Sequence, residues 1–169
     1  MMRPAAPIAL MAAAVLVGGC PQNGNVAVSR TPPPPVSQVD KVSPEVVHSM
    51  PVNWDDRPGP DGLQVRVHFF RLDRDLPVTV SGTVEFVLYE GRLSTGDVRS
   101  ARPFRSWAFP QEALPRQISR SRYGWCYAMQ LGWGMHVPRS GVVTLIARYL
   151  PPDGPAVLSS PMLVAMKPQ

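Results

Sequence analysis

Four oxygen-bearing side chains cluster in one short segment, Pro51–Gly62, where they could either bind a cation or form turns. They are Asn53, Asp55, Asp56 and Asp61. Carboxylate and amide oxygens are the ligands that Ca2+ prefers, but the spacing does not match a calcium loop. Asp and Asn side chains also stabilise turns by bonding to nearby backbone groups. We therefore predict that these residues form turns and that the protein binds no metal or other cofactor. A calcium site is the alternative.

Cys126 is a second residue that could do chemistry, as a nucleophile. A reactive thiol needs a neighbouring base and a lowered pKa, and no histidine lies within nine residues of Cys126. Its position among alternating large and small residues favours a small buried thiol instead. The histidines are not spaced for metal binding, and the motifs of hydrolases and phosphate-binding loops are absent. We predict that the protein is not an enzyme, with a small enzyme built on loops as the less favoured alternative.

Arginines are concentrated between Gly91 and Trp125. This segment contains seven of them and only two acidic residues, Asp97 and Glu112. The guanidinium group binds phosphate or carboxylate through paired hydrogen bonds, so this region could bind anionic glycans or lipid headgroups. The alternative is a solvated loop with scattered charges. The candidate ligand-binding residues are Arg99, Arg102, Arg105, Arg116, Arg120 and Arg122.

Aromatic residues could form a platform on which sugars stack. Trp125, Tyr127 and Trp133 alternate with smaller residues, which places them more simply on the core side of one strand. Trp54 lies outside that pattern, and of the aromatic residues it is the one that we predict to be exposed.

The amino terminus carries the three regions of an export signal: the charge on Arg3, an apolar stretch from residue 4 to 19, and a break at Cys20. The apolar run is too short to span a bilayer comfortably. The sequence Leu16-Val17-Gly18-Gly19-Cys20 resembles the lipobox of bacterial lipoproteins. An ordinary cleaved signal followed by an incidental cysteine is the alternative.

The lipobox resemblance implies that residues 1–19 are a signal peptide and that Cys20, once acylated, begins the mature chain. The lipid would hold the protein on a membrane, outside the cytoplasm. Residue 21 is Pro rather than Asp, which favours the outer membrane over the cytoplasmic membrane. An envelope protein or an anionic polymer is the expected partner, and nucleic acid is not expected.

Residues 20–44 have no apolar periodicity and contain the run Pro32–Pro35. Consecutive prolines adopt the extended polyproline II conformation. We predict a disordered tether, with a proline-rich ligand for a recognition domain as the alternative.

Residues 45–169 form the predicted domain, in which alternating apolar residues indicate β-strands. Only 17 % of the residues are charged and 21 are proline, which argues against a helical bundle. Seven or so strands suggest an all-β, antiparallel sandwich of immunoglobulin or transthyretin type, with a closed barrel as the alternative. The predicted strands are Leu63–Phe70, Val78–Gly82, Thr83–Tyr89, Phe104–Phe109, Trp125–Trp133, Gly141–Leu150 and Met162–Met166. A helical turn over Pro110–Leu114 is predicted to stop at Pro115.

The segments Pro51–Gly62 and Gly124–Trp133 are similar to those of a family of bacterial envelope lipoproteins that carries no known catalytic or binding residues. The resemblance implies an envelope location and a β-sandwich. Together with the lipobox it predicts a lipid-anchored, extracytoplasmic module that binds or supports other envelope components without catalysis.

Overall fold

Two antiparallel β-sheets form the architecture of this chain in a computed structural model that describes residues 30–47, 51–55 and 57–166. The strands are β1 (Lys41–Val46), β2 (Gly62–Phe70), β3 (Thr83–Glu90), β4 (Arg105–Phe109), β5 (Ile118–Ser121), β6 (Gly124–Gly132), β7 (Val142–Leu150), β8 (Val157–Leu158) and β9 (Met162–Ala165). Two short 3-10 helices occupy Asp97–Arg99 and Gln111–Gln117. The predicted all-β antiparallel sandwich is confirmed.

The strand order follows the connectivity of an immunoglobulin sandwich. The first sheet has the order β1-β2-β6-β5, and in the second sheet β4, β3 and β7 are followed by β8 and β9, which both pair with β7. Seven-stranded immunoglobulin domains place strands A, B, E and D in one sheet and C, F and G in the other. Here β4 is an additional edge strand beside the C position, and the G position is divided between β8 and β9.

The described residues form more strands than the predicted seven or so, because three unpredicted strands are gained and one predicted strand is lost. The predicted strand Val78–Gly82 is reduced to isolated bridges, which join Val78 to Phe69 and Val80 to Val36. Three further strands, β1, β5 and β8, were not predicted. They are short edge strands without a clear apolar alternation, so the sequence pattern that reveals half-buried strands is weak in them.

The core lies between the sheets and is built from the inward faces of β2, β3, β6 and β7. Along β2, Leu63, Val65, Val67 and Phe69 are fully buried, as the period-two alternation predicts. The largest fully buried side chains elsewhere are Trp133, Tyr127, Tyr149 and Phe86. A smaller cluster on the outer face of the second sheet packs Val87, Tyr89 and Ile146 beneath the β3–β4 connection.

Residues 30–40, which we call the strap, pack against the sandwich, contrary to the predicted disordered tether. Val39 is buried and Val36 packs against the core. Strand β1 begins at Lys41, so the predicted boundary after residue 44 falls inside a strand. The folded domain therefore starts within the segment that composition alone assigned to the tether. Residues 20–29 lie outside the described residues.

The helical turn that begins after Pro110 continues past Pro115, where it was predicted to stop. The 3-10 helix Gln111–Gln117 connects the edge strands β4 and β5. It includes Pro115, and its residue Leu114 is buried. A 3-10 helix has few internal hydrogen bonds to lose, so a proline disrupts it less than it disrupts an α-helix.

In the part of the chain that the structure describes, no helix has the length and apolar character needed to cross a bilayer.

Candidate functional site

The six candidate arginines are distributed over elements of both sheets. Arg99 and Arg102 lie in the β3–β4 connection, Arg105 begins β4, Arg116 lies in the second 3-10 helix, Arg120 lies in β5, and Arg122 follows β5. All are exposed except Arg105. Because β4 and β5 are edges of different sheets, the run of arginines is divided into local groups.

Arg105 has a structural role. It is half-buried, and its guanidinium donates a hydrogen bond to the carbonyl of Trp133, which follows β6. The same group lies 5.9 Å from the centre of the Trp107 ring. Arg105 therefore ties the edge of the second sheet to a loop that leaves the first, and it is removed from the set of free anion ligands.

Arg120 and Arg122 form the group that the structure brings together with aromatic rings. The guanidinium of Arg120 lies 4.3 Å from the Trp125 ring centre, and that of Arg122 lies 4.6 Å from the ring centre of Tyr123. Within the described ranges neither arginine forms an ion pair with a carboxylate. A guanidinium stacked on a ring still directs N–H donors sideways, so both cations can accept an anionic ligand.

A cleft of about 740 Å3 opens beside these two arginines. Its walls are Thr31–Pro34 of the strap, residues 73–78 of the β2–β3 connection, and the β5–β6 turn with the adjoining residues, 121–125. We call this end of the sandwich the strap end. A second cleft of about 650 Å3 lies along Pro32–Pro35 next to the helix Gln111–Gln117.

Apolar side chains are exposed around the first cleft. Leu72 is 92 % exposed, Leu76 51 % and Tyr123 49 %. The backbone N–H of Leu72 donates to the carboxylate of Asp40 at 2.8 Å. Leu72 is therefore held by its backbone in a position that leaves its side chain in solvent.

Hydrogen bonds fix the strap in place beside the cleft. The Thr79 hydroxyl donates to the carbonyl of Pro33 at 2.6 Å, and the N–H of Val36 donates to the Thr79 carbonyl at 2.9 Å. The hydroxyl of Tyr149, on the second sheet, lies within hydrogen-bonding distance of carbonyls of both the strap and Ser81. Burial raises the pKa of Tyr149 to about 12. The strap is thus anchored to both sheets.

The opposite end of the sandwich, which we call the distal end, comprises the loop 51–61 and the segment 133–141. In the loop, one Asp61 carboxylate oxygen accepts the N–H of Trp54 at 2.5 Å and that of Asp55 at 3.1 Å. Asn53 accepts the Asp55 N–H as well, at 3.0 Å. These bonds confirm the turn interpretation; Asp56 lies outside the described residues.

Trp54 is exposed, as predicted, with 37 % of its surface accessible, and Tyr123 is more exposed at 49 %. The Trp54 ring lies over the paired residues Gly62 and Gly132, where a Cβ atom on Gly62 would be 2.6 Å from the ring. Two adjacent glycines leave room for one face of the indole, which closes this end of the first sheet.

A cleft of about 750 Å3 at the distal end is lined by Glu90, His136 and Arg139, among others. The Glu90 carboxylate accepts the backbone N–H of Arg139 at 2.6 Å. The exposed apolar residue here is Met135, at 95 %. Glu90 and His136 thus line the same cleft, and the Glu90 carboxylate is already bonded to the backbone of the loop that contains Arg139.

Cys126 and His68 lie on adjacent strands of the first sheet. The β2–β6 register pairs Val67 with Tyr127, so His68 is opposite Cys126 on the outer face. His68 Nε2 lies 2.7 Å from Ser121 Oγ. Burial raises the pKa of the thiol and lowers that of the imidazole. Both groups are therefore held neutral, which disfavours an active thiolate.

The prediction that Trp125, Tyr127 and Trp133 all lie on the core side holds for two of the three residues. Tyr127 and Trp133 are buried, whereas Trp125 is half-buried and borders the strap-end cleft. Cys20 and the lipobox, on which the lipoprotein prediction depends, lie outside the described residues.

Within the described ranges no group of three or more His, Cys, Asp or Glu residues could hold a metal ion. Comparison with protein-family models, with curated proteins and with solved structures gives no match for this chain. The resemblance to envelope lipoproteins therefore stays a prediction.

Proposed function

We propose that this chain is a lipid-anchored, extracytoplasmic β-sandwich module of a bacterial envelope, which binds or supports other envelope components without catalysis. The observation that carries the proposal is the sequence Leu16–Cys20, an aliphatic residue and two small residues before a cysteine, behind a charged terminus and a short apolar run. A neutral buried thiol at Cys126 supports the non-catalytic part, because an active thiolate needs a lowered pKa.

The two cysteines supply the test, since one is the predicted lipid acceptor and the other is buried. The protein is expressed in a bacterium, isolated from membranes and examined by mass spectrometry. We expect cleavage between Gly19 and Cys20 and an acyl mass on Cys20. Cys20→Ser abolishes both, and the control Cys126→Ser retains both. A chain cleaved elsewhere, with an unmodified Cys20, contradicts the proposal.

A second candidate function is the docking of anionic glycans or lipid headgroups through arginine. It is favoured by Arg120 and Arg122, which are exposed, stacked on aromatic rings and without a carboxylate partner within the described ranges. Ion-pair attraction between exposed groups is screened by salt. Retention on an anionic polymer should therefore fall as salt is added.

Substitution by serine separates this candidate from an unspecific charge effect. We expect Arg116→Ser/Arg120→Ser/Arg122→Ser to lose salt-sensitive retention on an anionic glycan column. The matched control Arg92→Ser/Arg99→Ser/Arg102→Ser removes three exposed arginines from the β3–β4 connection and should retain most of it. Equal losses in both variants contradict a local site. Affinity capture of the intact protein from membranes would identify an envelope protein partner.

A further inference from the structure

We propose that the strap end is a membrane-docking face, which places Leu72, Leu76 and Tyr123 among the headgroups of an anionic phospholipid surface. The inference rests on the proposed function, because a lipid on Cys20 is what brings the domain to the bilayer. It adds an orientation: the strap end faces the membrane and the distal end faces away from it.

The position of the strap determines which end lies nearest to the anchor. Nine residues lie between Cys20 and Arg30, the first described residue. The ten Cα-to-Cα steps from Cys20 to Arg30 reach at most about 35 Å when the chain is fully extended. The nine residues of β2 span about 30 Å between the two ends of the sandwich. Contact of the distal end with the membrane would need an almost fully extended linker, whereas contact of the strap end needs no such extension.

The exposed side chains at the strap end match the chemistry of a membrane interface. Leu72, Leu76 and Tyr123 offer apolar surface, and the half-buried Trp125 lies beside them. Tyrosine and tryptophan are enriched at the headgroup level, where an apolar ring and a polar edge are both accommodated. Shallow insertion of apolar side chains combined with basic residues is how surface-bound elements engage a bilayer.

Charge at the strap end favours an anionic surface. The cationic side chains are Arg30, Lys41, Arg71, Arg74, Arg120 and Arg122, the carboxylates are Asp40, Asp73, Asp75 and Asp153 of the β7–β8 loop, and the adjacent helix Gln111–Gln117 adds one of each, Arg116 and Glu112. Arg71 is already paired with Asp73 at 2.8 Å. Each remaining cation near an anionic leaflet increases the ratio of docked to undocked protein about fivefold. The positive excess lies around the exposed leucines, so apolar insertion and headgroup attraction act at the same place.

Two exposed residues at opposite ends provide a matched pair of reporter positions. Leu72 is 92 % exposed at the strap end, and Met135 is 95 % exposed at the distal end. Leu72→Cys and Met135→Cys are each produced as full-length protein, and acylation of Cys20 is verified by mass. An environment-sensitive fluorophore is attached to the new thiol. The protein without either substitution is the labelling control, because Cys126 is buried.

The labelled, acylated proteins are reconstituted in vesicles of phosphatidylethanolamine and phosphatidylglycerol. We expect a blue-shifted emission, quenched by brominated acyl chains, from the label on Leu72→Cys, and an emission typical of water from the label on Met135→Cys. Acylated proteins whose two labels behave alike overturn the orientation while the proposed function stands. Absence of acylation at Cys20 overturns the proposed function itself.

Serine substitution of Arg74, Arg120 and Arg122 tests the electrostatic part in the Leu72→Cys background. We expect the ratio of docked to undocked label to fall about a hundredfold, at about fivefold for each arginine. The control Arg92→Ser/Arg99→Ser/Arg102→Ser, which also removes three exposed arginines, leaves the ratio near its original value. An undiminished ratio in the triple variant overturns headgroup recognition. Displacement of the docked label by a soluble anionic glycan also overturns it, in favour of a glycan site.

Discussion

The two ends of this sandwich are closed in different ways. At the distal end, bonds from neighbouring backbone groups to Asp61 fix the loop 51–61 locally, although Trp133 and Arg139 also bond to residues distant in sequence there. At the strap end, Pro33 and Val36 are held by Thr79 and Tyr149, which lie more than forty residues away. Local turn chemistry can be recognised from neighbouring residues, whereas a long-range closure forms only when both sheets are in place.

The same contrast holds for the surfaces that the two ends present. The distal end lays Trp54 over a glycine pair, leaves its ring 37 % exposed, and exposes Met135 beside it. The strap end leaves Leu72, Leu76 and Tyr123 in solvent and surrounds them with arginine. The strap end thus carries the larger group of exposed apolar residues, and the following substitutions test whether the two ends are independent.

The largest effect is expected at the distal end from Gly62→Ala. The added Cβ would lie 2.3 Å from the carbonyl oxygen of Leu131 and 2.6 Å from the Trp54 ring. Such overlap forces backbone or ring displacement, and we expect the free energy of unfolding to fall by about 3 kcal/mol. Chemical denaturation measures it. For Gly141→Ala, whose Cβ would meet no atom within 4 Å, the change should stay within about 0.5 kcal/mol; equal losses contradict the packing argument.

At the strap end, Tyr149→Phe should lower the free energy of unfolding by about 1–2 kcal/mol, because the partly buried carbonyls of Ser37 and Ser81 lose the donor that they share. The raised pKa also predicts alkaline unfolding. The folded state disfavours the phenolate, so stability is complete below the ordinary pKa near 10 and is lost as the pH rises towards about 12.

The alkaline loss is followed by circular dichroism from pH 8 to 12. We expect Tyr149→Phe to flatten the pH dependence but not abolish it, since burial also raises the pKa of Tyr127. The control Tyr123→Phe removes an exposed hydroxyl and should follow the unsubstituted protein. An identical slope in all three proteins contradicts the role of Tyr149.

A smaller, acid-dependent effect is expected from His68, which lies against the strap-end ring of Tyr123. Burial lowers the pKa of His68, an effect that Glu45 opposes and Arg66 reinforces. The stability that neutral His68 supplies is present above pH 6.5 and is lost as the pH falls through the lower, folded-state pKa.

His68→Gln can retain a hydrogen bond to Ser121 without titrating. We expect it to reduce the fall in melting temperature between pH 7 and 5, while the exposed distal-end variant His136→Gln leaves that fall unchanged. If His68→Gln shows the same fall as the unsubstituted protein, burial of His68 does not govern acid stability.

The smallest effect is expected from Thr79→Val, which removes the hydroxyl that binds the Pro33 carbonyl. Pro33 is only half-buried, so water can replace the donor, and the cost should be about 1 kcal/mol or less. Cleavage by a protease near Val36 should be faster than in the control Thr83→Val. Equal cleavage rates would show that this bond does not hold the strap.

How far the sequence predicts this molecule depends on the range of the interactions involved. The long strands were predicted because β2 and β6 repeat an apolar residue at every second position. The loop 51–61 was predicted because its Asp side chains bond to adjacent backbone. Strand β1 and the strap were assigned to a tether, since Pro32–Pro35 suggests an isolated rod and no local pattern reveals the Tyr149 hydroxyl that holds it.

The candidate site was predicted in composition but not in arrangement. Counting arginines singled out residues 91–125, yet Arg105 binds the Trp133 carbonyl, and Arg99 lies in the β3–β4 connection of the second sheet whereas Arg120 lies in β5 of the first. The spacing Arg120-Ser-Arg122-Tyr123-Gly124-Trp125 contains a usable signal. A two-residue turn before Gly124, whose φ is +121°, folds Trp125 back beside Arg120.

The attachment of the strap also determines how the domain bears mechanical load. Any pull applied on the amino-terminal side of Arg30 reaches the Val36–Thr79 and Tyr149 bonds before it reaches β1. The strap bridges both sheets, so the tension is shared between them instead of peeling β1 from the edge of one. When the chain is stretched from its amino terminus, the strap must detach first, and the sandwich behind it remains intact until it does.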